Sequence, residues 1–352
     1  MIRTVLLTGT RAPATLDLAR RLWREGVRVI GADSMRFPLG RFSAAFAAHH
    51  RVPPPRQDRA GFLRAIETIA RRESVDLIWP TCEEVFHIAA GRDAFEAAAP
   101  VLCPSLEVLD RLHHKRRFAE GTHTLGCEVT APESWDAFAA PHGERLIWKP
   151  DYSRFAAHTR LDAPDDLAGW MAQRFVEGRE FCSWALCVKG DVRVLTMYEC
   201  PARSGRGAGC AFEPVWSDAA MQFTKAVART LNFTGALAFD FIETVTRTFV
   251  LECNPRMTSG LHILAPEISI RGLLEGVCAA LPPPQRAAQL FLPVLVSSPR
   301  LAGSSPDVIS CDDDSAPAWG QALAVAEFLW RSMTRRVSLL EATTFDIEYN
   351  GP

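Results

Sequence analysis

The sequence predicts two α/β architectures in one chain of 352 residues: a parallel, Rossmann-like sheet with helices on its faces, then an α+β body of antiparallel strands. Three observations carry that reading. Strand-like and helix-like segments alternate over the first hundred residues. From Ser105 the pattern changes to strand pairs joined by short turns. Residues 235–256 then read as a β-hairpin with oxygen ligands on one face.

The alternating part begins with a strand at Val5–Thr8, a turn at Gly9–Pro13, an amphipathic helix across Leu16–Glu25 and a second strand at Val27–Ala32 that ends in Asp33. A helix near Gly61–Arg72 precedes a third strand, Leu77–Trp79. This βαβαβ order implies a parallel sheet. The G-x-G-x-x-G fingerprint is absent, so a dinucleotide is not expected there. Asp33, at a strand end, has two readings: a ribose or substrate contact, and a loop cap. Residues 1–104 are taken as this first domain.

A helix with Ser105 as its candidate N-cap carries Leu106, Leu109 and Leu112 and is predicted to run on through Lys115–Phe118. Strands follow at Leu146–Lys149 and Ala172–Val176, completing a subdomain over 105–175. A third unit, 176–281, holds the strand pair Phe181–Val188 and Val192–Met197 around the turn Lys189-Gly190-Asp191, a basic glycine-rich loop at Arg203–Gly209, a helix at Ser217–Leu231 and the hairpin. Pro282–Pro284 reads as a linker into an extension, 282–352, that includes an acidic turn at Asp312–Asp314.

Composition narrows the function. With 48% hydrophobic and 23% charged residues and a net charge of −2, the chain has no global attraction for nucleic acid or an anionic membrane. There is no 18-residue apolar run, and the start, Ile2–Thr8, is strand-like rather than a signal peptide, so a cytoplasmic location is expected. The ten cysteines form no C-x-x-C pair, which predicts reduced core thiols. Of the 39 basic residues 35 are arginine, so the four lysines, Lys115, Lys149, Lys189 and Lys225, are each informative.

The hairpin carries most of the chemistry. Apolar runs at 236–242 and 248–253 flank a polar stretch at Glu243–Arg247. A turn centred on Thr246 places Asp240 opposite Glu252, with Asn254 two positions further along the same strand. Side chains alternate with period two, so these three project together while Phe239, Phe241, Leu251 and Cys253 face a core. Two carboxylates and an amide oxygen suit Mg²⁺, a hard cation that takes its other ligands from water and substrate phosphates. The competing reading is a solvated surface hairpin.

With these motifs in order, the stretch from Lys115 to Leu264 resembles the ATP-grasp superfamily of carboxylate–amine ligases and carbamoyl-phosphate-synthase-like proteins. Lys115 in His114-Lys-Arg-Arg-Phe118 looks like the family's helix lysine, and Lys149 in Ile147-Trp-Lys-Pro150 like its strand lysine. The resemblance implies that both approach ATP phosphates. It also implies that the backbone of Gln173, Arg174, Phe175 and Val176 holds adenine and that Glu180 binds the ribose. Leu251-Glu-Cys-Asn-Pro-Arg256 is similar to the terminal E-x-N-P-R signature, with Glu252 and Asn254 on Mg²⁺ and Arg256 facing transferred phosphate or substrate. The Rossmann-like half agrees with the family's N-terminal domain.

One departure stands out. Where many members carry a glycine-rich lid, this chain has Asp151–Thr159 without glycine, which has two readings: Ser153, Arg154 and His158 close over phosphates with their side chains, or the lid is stiffer and ATP binds more weakly. Arg203 and Arg206, in the Arg203–Gly209 loop, are the candidates for a substrate carboxylate, the competing reading of that loop being a mobile connector. A substrate wall is also expected near Thr81–Glu84. The resemblance implies formation of an acylphosphate and its opening by an amine, with ATP and Mg²⁺ as cofactors, small-molecule substrates and no nucleic-acid or membrane partner, and it allows a homodimer. The rival readings are a bicarbonate-activating carboxylase or carbamoyl-transfer enzyme, and an ATP-binding sensor without chemistry.

Overall fold

The computed structural model describes residues 1–95, 97–154, 158–205 and 207–351. Its chain divides into two compact units: Met1–Leu106 with Pro266–Val277 and Asp307–Tyr349, and Glu107–Ala265 with Cys278–Pro306 and Asn350–Pro352.

The first unit is built on β1 (Thr4–Thr8), α1 (Pro13–Arg24), β2 (Arg28–Asp33), β3 (Phe46–Arg51), α2 (Arg59–Arg72), β4 (Leu77–Trp79) and α3 (Glu84–Ala90). The strands form one parallel sheet in the order β3-β2-β1-β4. All five residues of β1 are buried, as a central parallel strand covered on both faces requires. Proline at the first position starts α1, where a missing N–H costs nothing, and Leu16, Leu18, Ala19 and Leu22 turn inward. The Asp58 carboxylate caps α2 by accepting from the Gly61 amide at 2.8 Å. The sequence reading omits β3. Its Phe-Ala-Ala-His-His-Arg composition lacks β-branched residues, and as an edge strand it is half exposed.

Two expectations in this unit resolve structurally. Asp33 is a cap: it accepts from the Arg11 and Met35 amides, both at 2.9 Å, and from the Arg11 guanidinium at 2.7 Å. Thr81–Glu84 is an internal tie. Glu84 accepts from the Thr8 hydroxyl at 2.6 Å and from the Thr81 and Cys82 amides at 3.1 Å, and Thr81, Glu83 and Glu84 are all buried.

In the second unit the helix predicted from Ser105 through Phe118 is two helices, α4 (Leu106–His113) and α5 (Lys115–Thr122). His114 leaves helical geometry, with ψ at 107°, and caps α5, which makes Lys115 the first residue of the new helix. Next come β5 (Ser134–Asp136), β6 (Leu146–Pro150) and β7 (Trp170–Arg174), a three-stranded sheet in the order β5-β7-β6. The larger sheet uses β8 (Arg179–Val188), β9 (Asp191–Ser204), β10 (Ala208–Pro214), β11 (Gly235–Glu243) and β12 (Thr248–Asn254), with α6 (Asp218–Thr230) between β10 and β11. The glycine-rich loop is thus largely strand. β9 runs to Ser204 and β10 resumes at Ala208, with Arg203 paired to Gly209. Arg206 lies outside the described residues.

Phe223 of α6 packs edge-on against Phe239 at 5.2 Å between ring centres, and Phe118 of α5 stacks on Phe239 at 5.9 Å. This aromatic core lies beneath the hairpin, on the side opposite its acids.

The final stretch, read as one extension, is shared between the units. After α7 (Ile270–Leu274), β13 (Ala288–Gln289) closes the six-stranded sheet in the order β12-β11-β8-β9-β10-β13, and α8 (Phe291–Ser297) follows. α9 (Ala316–Arg335) and α10 (Leu339–Ala342) belong to the first unit, where Arg20 binds Asp314 at 2.8 Å. No helix among the described residues is long and apolar enough to cross a membrane.

Candidate active site

A cleft of about 360 Å³ in the second unit is lined by Lys149, Glu180, Arg203, Asp240, Glu252, Asn254 and Arg256. Its volume falls in the range of small-molecule sites.

Asp240 on β11 is paired in register with Glu252 on β12. The pairing sum expected from a turn at Thr246 holds from Ala238–Asn254 to Asp240–Glu252 and then slips by one, because Leu251 is bulged out of the ladder. The turn consequently sits one half-step earlier, across Thr244–Arg247. The bulge also moves Leu251 from its predicted core position to the cleft wall, while Phe239, Phe241 and Cys253 remain buried.

Both lysines converge on the acids. Lys115 Nζ lies 3.2 Å from Glu252 Oε2 and donates to the Ser153 carbonyl at 3.0 Å. Lys149 Nζ donates to Gln173 Oε1 at 2.8 Å, and Gln173 Nε2 in turn donates to Ser134 Oγ at 3.1 Å. Starting Lys115 at the head of α5 and Lys149 near the end of β6 brings two elements distant in sequence to the same carboxylate.

The charges are unequal. Burial first, and then the neighbouring Glu252 charge, raise Asp240 to about 7. Burial also disfavours the Glu252 anion, but Lys115 and Lys149 outweigh it and hold this carboxyl at about 2. Near neutral pH the two therefore share a proton through their hydrogen bond. Burial lowers Lys149 to about 8 against the pull of Glu252.

The donor set fits a hard divalent cation. Two acids forced together so closely that one stays protonated, with an amide oxygen on the same strand, are groups that a metal charge would allow to ionise. Among the described residues no set of three or more His, Cys, Asp or Glu is placed to hold a metal, so a cation here would need the amide oxygen of Asn254 beside the two carboxylates. In the present arrangement Arg256 Nη2 donates to Asn254 Oδ1 at 3.3 Å. That guanidinium must yield if Asn254 ligates.

The remaining candidates are placed unevenly. Arg203 Nη2 pairs with Glu180 Oε2 at 2.9 Å, so the expected sugar and substrate residues hold each other. None of Gln173, Arg174, Phe175 and Val176 lines the cleft. The Arg174 and Phe175 amides are engaged by the Glu133 and Arg145 carbonyls, and the Arg145 guanidinium covers the Phe175 ring at 4.0 Å. Ser153 is buried with an unpartnered hydroxyl beside Lys115. Of the lid, Thr159 reaches the cleft, and residues 155–157 lie outside the described residues.

Sequence reasoning missed Cys182, Tyr198, Cys200 and Phe212, which also line the cleft. All ten thiols are free, but not all are core. Cys182 shares the Asp240 register on β8, and its hydrogen bond draws the Cys200 thiol below its ordinary value. Period-two alternation from Glu180 places Cys182 on the cleft face, a signal available in the sequence. Gly209 makes room for this pair: an added Cβ would stand 2.5 Å from Cys200 Sγ.

Comparison with known proteins gives no matching family model and no matching curated protein. Solved structures do match. Rhizobium etli pyruvate carboxylase is 17% identical over 79% of this chain, with a TM-score of 0.61, and the match spans 29% of that much longer protein. The biotin carboxylase domain of Hydrogenobacter thermophilus 2-oxoglutarate carboxylase, solved with MgADP, ADP and bicarbonate, is 14% identical over 75% of this chain and 66% of its own, with a TM-score of 0.59. L-amino acid ligase from Bacillus licheniformis is 14% identical over 73% and 68%, with a TM-score of 0.55. At these identities the likeness carries the fold.

Proposed function

We propose that this chain, which has the ATP-grasp fold, is an ATP-dependent ligase that activates a substrate carboxylate as an acylphosphate and joins it to an amine. The supporting observation is the convergence of Lys115 and Lys149 on the Asp240–Glu252 pair, the cationic and anionic halves of a site for a metal–triphosphate. Asp240, Glu252 and Asn254 would hold Mg²⁺, which when bound neutralises phosphate charge and so favours its transfer.

The side chains supply positioning and charge, which is most of what phosphoryl transfer asks of a protein. Lys115 and Lys149 place ammonium groups where phosphate oxygens gather negative charge. Arg256 and Arg203 offer guanidinium forks to a carboxylate. In the first step a carboxylate oxygen attacks the γ-phosphorus and ADP leaves. In the second an amine nitrogen attacks the acyl carbon, inorganic phosphate leaves, and the amine proton passes to solvent or phosphate. Glu180, once Arg203 turns to substrate, becomes available to ribose hydroxyls.

The test is a screen of amino acids and small carboxylates for ADP release, with mass spectrometry of the condensed product. An amide product that disappears in Glu252→Ala supports the assignment. ADP release that follows bicarbonate instead of an organic acid replaces it with carboxyl activation, and tight ATP binding without ADP under every pool replaces it with a sensor.

A further inference from the structure

The first unit holds a second cleft, of about 570 Å³, which the ligase reading does not use. It opens beyond the carboxyl ends of two parallel strands. Ser34 follows the last residue of β2, Arg51 is the last residue of β3, and Pro53 and Pro54 continue from it. Ligands of open α/β sheets bind outside the carboxyl ends of their strands. The opposite wall is the end of α9 and the segment beyond α10, through Trp330, Arg331, Arg335, Phe345 and Asp346.

Its charge is one-sided. Asp346 is the single acid on the wall, and it is already engaged by Arg11 at 2.5 Å, Arg331 at 2.8 Å and the Ser34 hydroxyl at 2.5 Å. Arg331 is answered further by Glu327 at 2.9 Å. Arg51 and Arg335 have no carboxylate partner among the described residues. Arg51 Nε donates to the Ser34 carbonyl at 3.3 Å, and the Arg335 guanidinium lies 5.7 Å from the centre of the Phe345 ring. Two guanidinium groups without a carboxylate partner, one on each wall of the cleft, attract an anion, and each presents a planar fork for carboxylate or phosphate oxygens.

The remaining surface is mostly apolar. Trp330 is 64% exposed, and Pro53, Pro54 and Phe345 lie with it, beside one polar side chain, Gln57; the Arg56 guanidinium lies 5.1 Å from the centre of the Phe345 ring. Because Arg11 and Arg331 both grip Asp346, this wall is held before any ligand arrives, which lowers the ordering cost of binding. We propose that this cleft binds a small organic anion with a planar apolar body, its carboxylate or phosphate taken by Arg51 and Arg335 and its ring by Trp330 and Phe345.

Calorimetry and ligand-observed NMR on the full chain, with benzoate, phenyl phosphate and inorganic phosphate as probes, test it. The expected result is saturable binding of an aromatic anion, tighter than inorganic phosphate and weakened about tenfold or more by Arg51→Ala and by Arg335→Ala. Trp330→Ala should weaken the aromatic probes while leaving inorganic phosphate unchanged. All three side chains are exposed, so melting curves should match the parent. The tighter of benzoate and phenyl phosphate identifies the acidic group. Absence of saturable binding, or binding indifferent to these substitutions yet lost in Lys149→Met, overturns the proposal. Inorganic phosphate bound as tightly as phenyl phosphate overturns the planar body.

Discussion

Asp240 and Glu252 occupy one register pair of an antiparallel hairpin, and of the two only Glu252 is ionised well below neutral pH. The asymmetry arises because Lys115 reaches Glu252 at 3.2 Å, while burial and the Glu252 charge together press Asp240 toward its neutral form.

Metal binding should therefore be proton-linked in a defined window. With Asp240 raised to about 7, its proton must leave when Mg²⁺ binds, so affinity is highest above that value and declines up to about tenfold per pH unit below it. Calorimetry of Mg²⁺ binding between pH 5.5 and 8.5 measures the slope. Asp240→Asn should bind Mg²⁺ more weakly and without this dependence.

The metal-free protein carries the same asymmetry as a stability effect. A carboxyl raised on folding contributes stability in acid that is lost as pH rises through its folded value. Asp240→Asn should raise the melting temperature at pH 8 relative to the parent, by about 2–4 °C for each kcal/mol relieved, with the difference shrinking near pH 5.5. A constant difference across that range would contradict the shared proton.

Removing Lys115 should separate metal binding from turnover. Lys115→Met withdraws the cation that competes for Glu252, so Mg²⁺ alone should bind at least as well as in the parent. ADP formation should nevertheless fall by roughly 10²–10³-fold, the usual cost of one preorganised electrostatic contact. Parallel calorimetry and ADP assays decide it.

Lys149 should titrate apart from the other lysines. Burial brings it to about 8, and the chain has only four lysine Nζ signals to resolve by ¹⁵N NMR. ATP with Mg²⁺ should move that signal upward in pKa, because phosphate favours the ammonium.

Gly260, four residues beyond the signature's Arg256, should tolerate no side chain. An added Cβ would meet Trp184 Cβ at 2.4 Å and Thr196 Oγ1 at 2.8 Å, and the Thr196 hydroxyl already donates to the Gly260 carbonyl at 2.8 Å. Gly260→Ala should destabilise by about 1–3 kcal/mol, read as a lower denaturation midpoint.

Much of this was legible in local pattern. An assumed turn at Thr246 put Asp240 opposite Glu252 and strand alternation put them on one face with Asn254, while scarcity marked four lysines and the family resemblance singled out Lys115 and Lys149. The misplaced Leu251 marks the limit, since a bulge shifts pairing by one residue without changing hydrophobic periodicity. The break at His114 was hidden for a similar reason: apolar spacing continues through it, while the backbone does not. β3 escaped because an edge strand buries too little to need a strong pattern.

Sequence order alone placed two acids on one face of a hairpin and two rare lysines upstream, because period-two alternation and residue type are local properties. Whether those lysines meet the acids, which acid keeps its proton, and that Arg203 is held by Glu180 all depend on side chains brought together from separate strands and helices. Burial and Coulomb interaction act through space, so they become defined only when the second unit is packed. The cleft walled by Arg51 and Arg335 is the same kind of outcome, assembled from residues nearly three hundred positions apart.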